Sequence, residues 1–97
     1  MSSTMPENVR VHLLISGRVQ GVCYRAESEK EATSFGLKGW VRNTEDGTVE
    51  MLLEGEKEKV EKMITWCHRG PDVAKVKEVL VEWSPFRGDI PDFRITR

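Results

Sequence analysis

Apolar and polar residues alternate along several stretches of this chain, a pattern typical of half-buried β-strands. Across residues 9–16 every odd-numbered position is apolar, and the same alternation returns further along the chain. In the fourth such stretch Val76 lies out of phase with Val79 and Val81, which predicts an irregularity near Lys77. The pattern predicts strands over residues 9–16, 37–44, 48–54, 75–83 and 93–95.

Two helices are predicted between these strands. The clearer one covers residues 56–69, has apolar residues at the i, i+3, i+4 and i+7 positions, and stops at Gly70 and Pro71. The other covers residues 23–35, is rich in helix-forming residues and ends at Gly36. Its apolar stripe is thin and consists of Val22, Ala26, Ala32 or Thr33, and Phe35.

The order of these elements is β-α-β-β-α-β with a terminal edge strand. It predicts an α+β fold, a ferredoxin-like sandwich in which two helices cover one face of a mostly antiparallel sheet. An Asp-Gly turn at residues 46–47 joins the second and third strands as a hairpin. In this topology the strands before and after the first helix run parallel with another strand between them. Their carboxyl ends therefore lie at one edge of the sheet.

The length and composition of the chain limit its class. Ninety-seven residues suffice for one domain, predicted over 9–97 after a disordered lead at 1–8. Charged residues make up 32% of the chain but nearly cancel to a net charge of −1, which argues against a nucleic-acid or anionic-membrane partner. No apolar run is long enough for a membrane helix or a signal peptide. With only two cysteines and no Cys-x-x-Cys spacing, a reduced cytoplasmic protein is expected. The small size and the lack of a long apolar edge favour a monomer.

The candidate chemistry lies in the loop between the first strand and the first helix. Gly17 and Gly21 let this loop curl with its N–H groups inward, and the helix start adds unpaired N–H groups and a positive dipole end. Such a loop binds an anion, most often a phosphate, and Arg25 can add a planar fork of donors. The alternative is a plain strand-to-helix turn with a surface arginine. A nucleotide-binding P-loop is excluded because no Gly-Lys-Ser/Thr follows.

Several blocks of this chain resemble the acylphosphatase family. Residues 17–25, Gly-Arg-Val-Gln-Gly-Val-Cys-Tyr-Arg, look like its signature, and residues 36–43, Gly-Leu-Lys-Gly-Trp-Val-Arg-Asn, look like its second block. Gly-Thr-Val-Glu at 47–50 and Gly-Pro at 70–71 follow in family order. One departure is Cys23, since the family commonly has aromatic residues at both positions before the arginine.

The resemblance implies an enzyme that hydrolyses acyl phosphates to a carboxylate and inorganic phosphate, with no metal or organic cofactor. It implies that Arg25 and the loop bind the substrate phosphate, and that the Asn43 amide orients the attacking water. The loop residues concerned are Gly17, Arg18, Val19, Gln20, Gly21 and Val22. Without this context, Asn43 would be interpreted as a strand-end residue and Arg18 as a solvent-facing one. Thr44 would be interpreted as a turn residue or as one whose hydroxyl supports the site.

Three other functions remain as alternatives. A ferredoxin-like module for RNA or peptide is disfavoured by the slightly acidic charge and the lack of paired aromatic segments. A heavy-metal carrier is disfavoured because there is no Cys-x-x-Cys motif. A relative of the acylphosphatase-like domains in hydrogenase-maturation proteins stays open, because those domains carry the same loop.

The remaining cysteines and histidines are expected to have ordinary roles. Cys23 is interpreted as a packing thiol, with a reactive thiol next to the helix N-terminus as the alternative. A disulfide to Cys67 is not expected, although the fold could bring the two together. His12 and His68 are interpreted as surface residues, because neither has a carboxylate or a second histidine at ligand spacing.

Overall fold

A computed structural model describes residues 7–97 of the chain. Its elements occur in the predicted order with similar bounds: β1 Asn8–Arg18, α1 Tyr24–Ser34, β2 Lys38–Asn43, β3 Val49–Glu56, α2 Lys57–Arg69, β4 Lys75–Ser84 and β5 Phe93–Ile95. Most of the predicted lead at 1–8 lies outside the described residues. Of its last two residues, Asn8 begins β1, and the Glu7 carbonyl accepts a hydrogen bond from the Lys57 N–H at 2.8 Å.

The five strands form one sheet in the order β4-β1-β3-β2-β5. β3 lies between β1 and β2 and is antiparallel to both, so β1 and β2 run parallel, while β5 pairs parallel to β2 at the edge. This arrangement confirms the ferredoxin-like α+β prediction. The helices cover one face of the sheet, and the core between the two layers includes Val11, Leu13, Ile15, Val41, Met51, Leu53, Val60, Met63 and Cys67.

A β-bulge interrupts the pairing of β1 with β4. Ser16 pairs with Glu78 but the next residue, Gly17, pairs with Val76, so Lys77 is the extra residue and the predicted irregularity is confirmed. Gly17 has φ of 119°, and a Cβ there would lie 2.2 Å from the carbonyl oxygen of Lys75. The close approach of the two backbones therefore requires glycine at this position.

The predicted apolar stripe of α1 is wrong in part. Ala26 is exposed, and the residues that α1 buries are Tyr24, Ser28 and Ala32. The Tyr24 hydroxyl donates to the Cys67 carbonyl at 2.6 Å, and the Ser28 hydroxyl donates to the Tyr24 carbonyl at 2.7 Å. Because both polar groups find partners inside the protein, they can be buried, which a count of apolar residues does not anticipate.

Residues 85–92 cross from β4 to β5 past the carboxyl end of β3; we call this segment the strap. The buried Glu54 carboxylate holds it, accepting from the Arg87 N–H at 2.9 Å, the Gly88 N–H at 3.2 Å and the Arg10 guanidinium at 3.0 Å. Burial alone would raise the pKa of Glu54, but these three donors together hold the pKa below its usual value.

Candidate active site

A pocket of about 210 Å³ lies at the edge of the sheet where β1, β2 and β5 end and α1 begins. Arg25 is the second residue of α1 and Asn43 the last residue of β2, and both line this pocket. The topology thus brings together two residues that are distant in the sequence, as predicted. The lining residues are Val19, Gly21, Cys23, Tyr24, Arg25, Ala26, Asn43 and Ile95.

The loop that precedes α1 is anchored at two points and curls between them. Val19 and Val22 are buried in the core, while Gly21 and Cys23 adopt left-handed backbone conformations with φ of 74° and 64°. No side chain of the described residues caps the start of α1, whose first N–H groups lie next to the pocket. An anion bound there would meet unpaired N–H groups and the positive end of the helix dipole.

Arg25 supplies a cation at this pocket. Among residues 7–97 its side chain forms no ion pair and no hydrogen bond, although Arg10, Arg42 and Arg94 all bind carboxylates. Its guanidinium is therefore available for an external anion, for which its planar fork is well suited.

Asn43 carries a polar atom without a partner. Its Oδ1 is buried and accepts no hydrogen bond from the part of the chain that the structure describes. A buried acceptor with no donor is unfavourable by roughly 1–3 kcal/mol. Since Asn43 lines the pocket, a bound water or substrate can supply the missing donor.

Gln20 joins the loop to the β2–β3 hairpin. Its amide nitrogen donates to the Thr44 carbonyl at 2.9 Å and to the Thr48 carbonyl at 2.8 Å. The hairpin is closed by the Asp46 carboxylate, which accepts from the Thr44 and Thr48 hydroxyls and from the Thr48 N–H. The Thr44 and Thr48 hydroxyls lower the pKa of Asp46. These contacts fix the segment that follows Asn43, and the amino-acid pattern contained no signal for the Gln20 link.

The structure divides the predicted site residues into two groups. Val19, Gly21, Arg25 and Asn43 line the pocket. Gly17 packs on the β4 bulge, Arg18 is exposed opposite Lys75, Gln20 binds the hairpin, and Val22 points into the core. None of these four residues lines the pocket. Four lining residues were not predicted as site residues: Cys23, Tyr24, Ala26 and Ile95. Ala26 and Ile95 have no chemical signal of their own.

The expectation for Cys23 is wrong, because its side chain is exposed at the pocket and not packed. Both cysteines are free, and burial raises the pKa of Cys67 to about 12. His12 does have a carboxylate partner, Glu50 at 2.6 Å, which lies 38 residues away on β3. The His12 hydrogen bond is the main cause of the lowered pKa of Glu50, to which Arg42 also binds.

None of the described helices has the length and apolarity needed to cross a membrane. Within residues 7–97 no three His, Cys, Asp or Glu side chains come together as potential metal ligands.

Known proteins match this chain over nearly its whole length. The Acylphosphatase family model matches residues 11–95. The acylphosphatase of Pelotomaculum thermopropionicum is 46% identical over 89% of this chain and 94% of its own, and that of Pyrobaculum islandicum is 50% identical over 92% and 95%. The crystal structure of acylphosphatase from Bacillus subtilis superposes with a TM-score of 0.89 at 31% identity, covering 92% of this chain and 99% of that one. The chain therefore belongs to the acylphosphatase family, enzymes that hydrolyse acyl phosphates.

Proposed function

We propose that this enzyme binds the phosphate group of an acyl phosphate between Arg25 and the backbone of the 17–22 loop, and that Asn43 orients the water that attacks phosphorus. Water adds to phosphorus, the bond from phosphorus to the acyl oxygen breaks, and the products are a carboxylate and dihydrogen phosphate. Both protons of the water end on phosphate, so no external acid or base is consumed.

The chemistry of the substrate explains why so few groups suffice. An acyl phosphate is a mixed anhydride with a good leaving group, so its hydrolysis depends on placement and charge stabilisation more than on a strong nucleophile. Arg25 and the N–H groups at the start of α1 supply positive charge where the phosphate would lie. An amide is a weak base, so Asn43 orients the water and a phosphate oxygen accepts the proton.

One observation carries this assignment of roles: the unpartnered Oδ1 of Asn43 belongs to the same pocket as the unpaired guanidinium of Arg25. The first group lacks a donor such as water, and the second lacks an anion. A small-molecule acyl phosphate with its attacking water would satisfy both.

We further propose a monomeric enzyme of a reducing compartment such as the cytoplasm. Both cysteines are free thiols, which suits a reducing compartment, and the chain has the size of a single domain. Binding of nucleic acid has no role in this scheme, and neither does a metal ion.

The test is hydrolysis of benzoyl phosphate in the presence of EDTA by the wild type, Arg25→Ala and Arg94→Ala. Arg94 is a matched control because it is an exposed arginine paired with Asp92 and does not line the pocket. We expect rapid wild-type turnover, nearly abolished in Arg25→Ala and preserved in Arg94→Ala. Strong activity in Arg25→Ala would sink the assignment, and a folded but inactive wild type would favour a binding or maturation role.

A further inference from the structure

The end of α2 contains a buried carbonyl group that the helix itself cannot satisfy. In an α-helix each carbonyl accepts from the N–H four residues later, but the residue four after Cys67 is Pro71, which has no N–H. Cys67 is fully buried, and no backbone N–H of residues 7–97 donates to its carbonyl. The Tyr24 hydroxyl supplies the missing donor at 2.6 Å. Burial raises the pKa of Tyr24, so this hydroxyl keeps its proton and remains a donor.

The ring of Tyr24 is also packed against α2. It is buried and lies next to the Trp66 ring, with ring centroids 5.4 Å apart. Gly70, which ends α2, is in close contact with it, because a Cβ at this position would lie 2.7 Å from the Tyr24 Cε2 atom. The Gly-Pro block at 70–71 therefore helps to seat Tyr24, although neither of its residues lines the pocket.

The position of Arg25 depends on this contact between the helices. Tyr24 is the first residue of α1, and Arg25 follows it directly. The Arg25 side chain has no hydrogen bond or ion pair with residues 7–97, so its backbone decides where the guanidinium can reach. Tyr24 lines the pocket as well, but its hydroxyl donates to α2, so removing the hydroxyl takes no donor from a bound substrate.

We infer that Tyr24 is a positioning residue for Arg25: by binding the Cys67 carbonyl, its hydroxyl holds the first turn of α1 where Arg25 and the helix N–H groups face the phosphate. This inference rests on the proposed function of Arg25. The end of α2 then influences turnover through Tyr24 without contacting the substrate. A role in stability alone would leave turnover per folded molecule and inhibition by phosphate unchanged.

The test is Tyr24→Phe, which removes only the hydroxyl and leaves the Cys67 carbonyl without a donor. With benzoyl phosphate we expect kcat/KM per folded molecule to fall by about tenfold, because a small misplacement of a catalytic group reduces the rate strongly. Most of the fall should be in kcat, and inhibition by inorganic phosphate should weaken several-fold. In NMR spectra of the free enzyme, the Arg25 Nε–Hε signal should shift from its wild-type position.

Ser28→Ala is the matched control, since it removes another buried hydroxyl, which donates within α1 to the Tyr24 carbonyl at 2.7 Å. It should keep the wild-type kcat, phosphate inhibition and Arg25 signal. Gly70→Ala is a second test from the side of α2, because the added Cβ would displace the Tyr24 ring. It should reproduce the losses of Tyr24→Phe, and it decides the question if that variant does not fold.

Wild-type kcat and phosphate inhibition in folded Tyr24→Phe would overturn the inference, as would equal losses in Ser28→Ala. The proposed function fails separately, if Arg25→Ala remains active. If Arg25→Ala is inactive while Tyr24→Phe is unaffected, only the positioning role of Tyr24 is wrong.

Discussion

The polar groups at the two ends of the sheet differ in whether they have partners within the protein. At one end Glu54 is enclosed by three donors and holds the strap, while at the other end Asn43 Oδ1 has no donor and Arg25 has no anion among the described residues. A satisfied buried group contributes to stability, whereas an unsatisfied one next to a pocket indicates a ligand. Substitutions at the two ends should therefore separate stability from activity.

The largest effect is expected for Arg25→Ala. Turnover should fall by about 10³ or more, the scale associated with an arginine that stabilises a phosphoryl transition state. The melting temperature should stay near that of the wild type, because Arg25 has no partner within residues 7–97 to lose. Initial rates and thermal unfolding measured on one preparation test both parts. A large fall in melting temperature would show that Arg25 is structural.

Asn43→Ala should reduce turnover by roughly 10²–10³, as for the loss of one preorganised polar group. Inhibition by inorganic phosphate should change little, because phosphate binding is assigned to Arg25 and the loop. Removing an acceptor that lacks a donor should not lower the free energy of unfolding. Asn8→Ala, at the start of β1, is the matched control and should keep full turnover. Weaker phosphate inhibition in Asn43→Ala would contradict the proposed division of roles.

Glu54→Gln should show the opposite pattern. The amide weakens the charge-assisted bonds to Arg10 and the strap, which we expect to lower the free energy of unfolding by about 2 kcal/mol. For a domain of this size the melting temperature should fall by roughly 10 °C. Turnover per folded molecule should be unchanged. The exposed Glu82→Gln is the control and should have little effect on unfolding. A loss of turnover without a loss of stability would show that the two ends are not separate.

Acid should weaken the Glu54 end of the sheet. The folded-state pKa of Glu54 is lowered, so its contribution is fully present above the unfolded value of about 4.3 and is lost as pH falls through the folded pKa. The wild type should therefore lose stability in urea as the pH falls below about 4. Glu54→Gln should show a flatter dependence, with the remaining slope due to other carboxyls such as Glu50. Identical slopes would exclude Glu54 as a source of acid sensitivity.

Gln20→Leu should have the smallest effect. It removes the two hydrogen bonds from the loop to the hairpin, at an expected loss of about 1 kcal/mol in stability. Because the hairpin follows Asn43 directly, turnover should fall several-fold, within about tenfold. Hydrogen exchange of residues 44–48 should become faster. Unchanged exchange together with reduced turnover would point to a direct contact of Gln20 with substrate.

The sequence patterns were sufficient for the fold because periodicity and topology agree. The alternation of apolar residues located the strands, and the out-of-phase Val76 located the bulge at Lys77. The buried face of α1 was not predictable in this way. Tyr24 and Ser28 are buried because each finds a hydrogen-bond partner, and the Tyr24 partner on α2 is 43 residues away in the chain.

The candidate site could be predicted only where topology or a motif specified it. Both Arg25 and Asn43 line the pocket, because the carboxyl end of β2 and the start of α1 meet at one edge. The Gln20 link and the Glu50 partner of His12 join residues that are far apart in the sequence, through specific side-chain geometry. Such contacts depend on register and rotamers, about which a pattern of residue types carries no information.

The two glycines of the loop differ in what they reveal about a related chain. A side chain at Gly17 would collide with the β4 backbone, whereas one at Gly21 would meet no atom within 4 Å, and Gly21 is needed only for the left-handed turn of the loop. Gly17 is therefore required by the packing of β1 against β4, whereas Gly21 is required by the conformation of the loop beside the pocket. A designer who wanted a catalytically silent scaffold should retain Gly17 and alter Gly21, Arg25 and Asn43. Under the proposed roles of Arg25 and Asn43, a homologue with that combination should adopt the fold and should not hydrolyse acyl phosphates.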